Sequence, residues 1–302
     1  MVSIAEQVRF PARPGRPALV WAFIERQTNL WKRYWAWELV WLVYGVVNTL
    51  AVTLIANQVD QSSVGTSIDV SKLVLFLLIG TLVWAYLSAV LDDISLVISW
   101  ERWEGTIEHT LMAPVERWLH LSGMVLFGIM HAVIRTLIIF AIALPFFSVH
   151  LAQADWFAAA VVLLVGSFSV AGLAILAGIL PMLYPERGQQ MSMMIQAFVL
   201  LVSGVYYEVG VLPAWLRVFS YVSPATYILD GIRGAIIDGK SLFDVWPQLA
   251  SLAGFGLVLI PGGLATFGAA ERWAKKTGRL KRQGGSARDG PPSTERGGRR
   301  FA

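Results

Sequence analysis

Of 302 residues, 56% are hydrophobic and only 15% charged, whereas a soluble domain carries about 45–50% apolar and about 25% charged residues. The excess falls in long runs divided by short polar stretches, which excludes an ordinary soluble fold and makes the bilayer the solvent. The chain has no Cys, so disulfides, thiolate metal sites and cysteine nucleophiles are excluded; the net charge of +4 understates an asymmetry in which basic residues gather at both ends.

Residues 1–16 read as a disordered basic arm. No cleavable signal peptide is expected, because the first 17 residues hold four prolines or glycines, three arginines and no apolar core. From Pro17 onward, Val20, Phe23, Ile24, Gln27, Trp31 and Tyr34 recur at helical spacing, with Glu25, Arg26, Lys32 and Arg33 off that face. This is the pattern of an amphipathic helix lying in the headgroup region. Trp31, Trp35, Trp37 and Trp41 then mark an aromatic belt at a membrane entry.

Six spans follow, at approximately 36–56, 73–99, 119–148, 156–183, 191–207 and 247–270. Each is long enough, at about 1.5 Å per residue, to cross about 30 Å of hydrocarbon, the fifth only just. The expected fold is all-α and integral to the membrane. It has six transmembrane helices, an N-terminal interfacial helix, a cytoplasmic coupling helix, and re-entrant outer helices between spans five and six. The transmembrane domain covers 17–270 and is followed by a basic, disordered cytoplasmic tail over 271–302.

Orientation follows from Lys and Arg. Six precede the first span (Arg9, Arg13, Arg16, Arg26, Lys32, Arg33), and ten follow the last, from Arg272 to Arg300. The first outer loop holds only Lys72 and the 149–155 turn holds none. Both termini are therefore expected in the cytoplasm of a multi-pass plasma-membrane protein, with the tail as a topology anchor near anionic lipid.

Two segments depart from the simple pattern. Residues 100–118 form an inner loop that looks helical and is more acidic than basic, against the usual bias. Within it Glu101, Glu104 and Glu108 recur at i, i+3, i+7 and so share one helix face; Gly105 permits close backbone approach and Pro114 ends the segment. An acidic exposed helix suits docking on a soluble partner, or is simply a solvated connector. Residues 208–246 are too polar for full spans and too apolar for a free loop, and read as short helices that dip into the outer leaflet and return.

Gly234, Gly239, Lys240 and Ser241 satisfy the expression G-x-x-x-x-G-K-[ST]. A working phosphate loop needs a buried strand before it and a helix N-terminus facing the phosphates. Here it follows a helical-looking apolar segment, so the chain is not expected to hydrolyse ATP. The four histidines lack metal-ligand spacing, and no nucleophile motif occurs.

The run from Glu101 to Trp118 resembles the signature after the second span in the ABC transporter type-2 permease family. That signature is an acidic residue, then E-x-G-T-x-E, a short apolar stretch and P-V-x-R, supplied here by Glu104, Gly105, Thr106, Glu108, Pro114, Val115 and Arg117. Residues 203–233 resemble the family's S-G-x-x-Y-P-x-x-x-L-P-x-W-L segment followed by P-x-x-Y-x-x-D/E-x-x-R, with Glu208 where many members carry Pro.

The resemblance implies a pair of permeases, identical or paralogous, above two cytoplasmic ABC ATPase subunits that hold MgATP. This chain itself then needs no cofactor and no nucleic acid. Glu101, Glu104, Gly105, Thr106, Glu108, Pro114 and Arg117 are implied at the ATPase coupling. Tyr207, Pro213, Trp215, Pro224, Tyr227, Asp230 and Arg233 are implied in an outer re-entrant gate. The family's substrates include drugs, antibiotics, lipids and lipid-linked glycans, and the second segment is nearest its resistance-type exporters. An ion-coupled carrier would favour an inverted repeat and midplane carboxylates, and a lipid-modifying enzyme would need convergent acid, base and metal residues. Neither pattern is present.

Within the spans, nineteen residues from Leu73 to Leu91 already cover about 28 Å, which places Asp92 and Asp93 at the inner interface. His131 and Arg135 fall near the middle of span three, one turn apart and facing the same way. They are candidates for the substrate pathway, although Arg135 bonded to backbone carbonyls inside the bundle is the simpler expectation. By length, the Asp pair is expected about 10 Å nearer the cytoplasm than Arg135.

Overall fold

Pro17 opens the first helix, α1 (Arg16–Arg33), where a missing N–H costs nothing. The computed structural model describes residues 15–57, 70–105, 107–112, 115–147, 151–184 and 186–277. The basic arm up to Pro14 and the tail from Gly278 onward lie outside them. After α1 come α2 (Trp35–Asn57), α3 (Val70–Glu104), the six-residue α4 (Ile107–Met112) and α5 (Arg117–Ala143). Then follow α6 (Trp156–Leu183), α7 (Gly188–Val202), α8 (Ala214–Val222), α9 (Pro224–Ile236) and α10 (Trp246–Lys276). Among the described residues there is no strand.

Among the described residues five helices are long and apolar enough to cross a membrane: α2, α3, α5, α6 and α10. The expected fifth span is shorter than its hydropathy suggested. α7 has 15 residues, about 22 Å, and ends at Val202 because Gly204 takes a φ of 72°. α8 and α9, with 9 and 13 residues, are each too short to cross.

α3 and α6 form the centre of the bundle. α6 meets α10 along a seam of small residues. A methyl group at Gly172 would lie 2.6 Å from the Leu259 backbone, and one at Gly263 would lie 3.0 Å from the Gly172 carbonyl. Ser169 Oγ donates to the Leu252 carbonyl at 2.5 Å across the same seam. Small residues let helices approach where lipid offers no hydrophobic drive between them. α9 lies against α6 in the same way, with Gly166 facing Ile228 and Gly231 facing Val162.

α3 and α7 are joined instead by a polar ladder. Asp92, Ser95 and Ser99 share one face of α3 and meet Gln196, Ser192 and Gln189 of α7 at 2.6, 2.9 and 2.9 Å. α1 closes the other side by lying on α5, where Gly123 leaves room for Phe23 and the Phe23 ring stands edge-on to His120 at 4.8 Å.

Candidate functional site

The inner loop differs from a single helix. α3 stops at Glu104, Gly105 turns with a φ of 77°, and α4 restarts at Ile107. Glu101, Glu104 and Glu108 therefore do not share one exposed helix face. Glycine at this position supplies the left-handed turn that any side chain would strain. Glu101 is buried and paired with Arg26 of α1 at 2.6 Å. The side chains of Glu104 and Glu108, together with Thr106 and Pro114, lie outside the described residues.

Arg117 grips Glu271 of α10 with two nitrogens at 2.8 Å and reaches the Thr110 carbonyl of α4 at 3.4 Å. A planar guanidinium fork suits such a two-point hold. α4 is thus fixed to the bundle at its base, with Ile107 buried beneath it, while Met112 is 74% exposed.

The outer candidates do not converge. Arg233 is buried on α9 and donates to the Gly204 and Val205 carbonyls at 2.8 and 2.6 Å and to the Phe76 carbonyl of α3 at 3.4 Å. Its guanidinium also stacks 3.5 Å over the Phe76 ring, and Gly80 leaves the space for it. Tyr207 bonds to the Leu201 carbonyl, and Tyr227 donates to the Tyr221 carbonyl at 3.1 Å. Pro213 precedes α8 and Pro224 opens α9. Trp215, at 67% exposure, and Asp230 face outward.

The pattern resembling a phosphate loop follows a helix, since Gly234 lies in α9. Lys240 pairs with Asp238 at 3.3 Å on the surface, and Ser241 bonds Asp244 at 2.7 Å.

The charged residues do converge between α2, α3 and α5. His131 Nδ1 lies 2.8 Å from Asp93 and Nε2 lies 3.1 Å from Glu38. Arg135 Nε is 3.8 Å from Glu38, and its Nη2 donates to the Trp41 carbonyl at 3.0 Å. The carbonyl bond meets the simpler expectation for Arg135. Asp93 is offset from Arg135 toward the start of α5, as expected, but by about 6 Å rather than about 10 Å, and Glu38 rather than the Asp pair approaches Arg135. Asp93 stands level with His131, four residues from Arg135, because a residue count along one helix says nothing of its axial offset against a neighbour.

Glu38 was missed, although a lone carboxylate inside the run WAWELVWLV was its signal. These groups line a cavity of about 240 Å³ together with Gln27, Trp31, Trp37, Trp41, Trp100 and Phe127. Among the described residues no group is placed to hold a metal ion.

All-helical among the described residues and holding several bilayer-length apolar helices, the chain is a multi-pass membrane protein. Residues 18–237 match the model of the ABC-2 type transporter family, and the chain belongs to that family. No curated protein matches the chain.

Proposed function

We propose that this chain is the membrane subunit of an ATP-binding cassette exporter in the plasma membrane. It moves an amphipathic or hydrophobic substrate, of drug, antibiotic or lipid-like character, out of the cytoplasm or inner leaflet. The energy comes from separate cytoplasmic ATPase subunits that hold MgATP. A second copy or a paralogue completes the pathway, and both termini face the cytoplasm. α7 with its following turn serves as the fifth of six crossings, and α8 and α9 close the outer side without crossing.

The observation that supports this most is the inner loop. A six-residue helix is held by Arg117, which joins its Thr110 carbonyl to Glu271 of α10, beside the end of α3 that Glu101 ties to α1, and it presents an exposed Met112. A short rigid projection between two long helices suits transmission of a partner's movement.

The test is a pull-down and transport assay on the assembled complex. The purified chain alone shows no ATPase activity, and Lys240→Ala leaves transport intact. Glu104→Lys and Met112→Asp insert normally yet lose ATPase co-purification or transport; full retention of both in both variants refutes the docking role. A cysteine at Gly210, where a side chain meets nothing within 4 Å, reacts with an impermeant thiol reagent from outside. Labelling only from the cytoplasm overturns the topology.

A further inference from the structure

The junction of α1, α2, α3, α5 and α7 carries an unbalanced charge. Glu38, Asp92 and Asp93 face Arg135 and His131. Three carboxylates against two cations leave one negative charge even when the imidazole is protonated. Glu38 and Asp93 are taken up by His131 and Arg135. Asp92 accepts from the neutral Gln196 amide at 2.6 Å and, among the described residues, forms no ion pair within 4 Å. A carboxylate away from bulk water is costly without a counter-charge.

The walls beside it are rings. Trp31 stands edge-on to His131 at 5.7 Å and Phe127 stacks on it at 5.8 Å, while Trp37, Trp41 and Trp100 complete the enclosure. Aromatic faces attract organic cations, most strongly where water is thin. Gln27, only 2% exposed, lines the same space, and its amide nitrogen has no partner. A buried amide left unbonded is costly, so an acceptor atom on a ligand fits here. We propose that this cavity binds a monovalent organic cation, a quaternary or protonated amine with an aromatic or alkyl body and an oxygen acceptor near the charge. It lies between the second half of α3 and the middle of α5, where a substrate enters from the inner side.

This inference rests on the permease reading and names its substrate class. Its test is calorimetric titration of the full-length protein in nanodiscs with phenethyltrimethylammonium, against 4-phenylbutyrate as an anion of similar size. The cation binds and the carboxylate does not. Asp92→Asn keeps the shape and the Gln196 bond, and weakens the cation by about tenfold or more. Arg135→Leu removes a competing positive charge and tightens it.

Equal binding of the carboxylate, or unchanged cation affinity in Asp92→Asn, overturns the site. Nanodiscs of phosphatidylglycerol and of phosphatidylcholine separate two sources of the same chemistry. Equal affinity in both assigns the site to a free amine, and loss in phosphatidylcholine assigns it to a choline headgroup. The titration needs no ATPase, so its failure leaves the export reading standing. Cation binding without ATP-driven transport by the assembled complex keeps the site and overturns export.

Discussion

Two seams hold the bundle and they are built in opposite ways. The α6–α10 seam has no charge in it. Glycines bring the backbones together, and Ser169 adds one bond to a carbonyl. The α2–α3–α5 seam brings Glu38, Asp93, His131 and Arg135 together around a void. Close packing has one arrangement and resists displacement. A cluster of ion pairs beside a cavity has several arrangements of similar energy, and that is where a ligand finds room. The difference sets close packing on one side of α3 and α6 and a charged void on the other.

Filling the glycine seam is the most damaging way to break this comparison. Gly172→Leu forces side-chain atoms into the Leu259 backbone, and over-packing of this kind costs about 1–3 kcal/mol or more. Thermal unfolding in detergent should show a clear loss for Gly172→Leu. Gly254→Leu, on the open face of α10, should stay within about 0.5 kcal/mol of the parent. Equal losses at the two positions would mean that the seam is not what holds α10.

Arg135→Leu probes the charged seam at intermediate cost. It strips the Trp41 carbonyl of its donor and leaves Glu38 with His131 alone. A lower melting temperature is expected, equivalent to about 1–3 kcal/mol, although leucine relieves the cost of inserting a charge. An unchanged or raised melting temperature would show that the guanidinium does not hold the seam together.

The smallest effect belongs to the ladder between α3 and α7. Ser192→Ala removes the bond to Ser95, and hydrogen bonds between membrane helices average about 0.6 kcal/mol. A loss much above that would make α7 a structural member equal to the long spans.

Most helix positions were legible because a bilayer imposes length and apolarity together. The expected 36–56 and 156–183 became Trp35–Asn57 and Trp156–Leu183. α7 was misjudged because hydropathy runs on through Val205, Tyr206 and Tyr207, while the backbone turns at Gly204. The split at Gly105 was hidden for the same reason, since periodicity counts residues and does not register a single positive φ.

The site was half legible. His131 and Arg135 were singled out because charge in a span is expensive, and their shared face followed from spacing. Their partners depend on how far neighbouring helices slide past one another. That offset is set by packing, at Gly128 against Asp93 for example, and no pattern within one helix encodes it.

α3 runs 35 residues without an internal proline or break, about 52 Å of continuous helix. Near its start Phe76 is clasped by Arg233; Asp92 and Asp93 border the cavity; its end turns directly into α4. It is a tie-rod threaded through three stations. With no hinge along the rod, a pull on α4 reaches the clasp at Phe76 with its length undiminished, and on its way moves the carboxylate wall of the cavity by the same stroke.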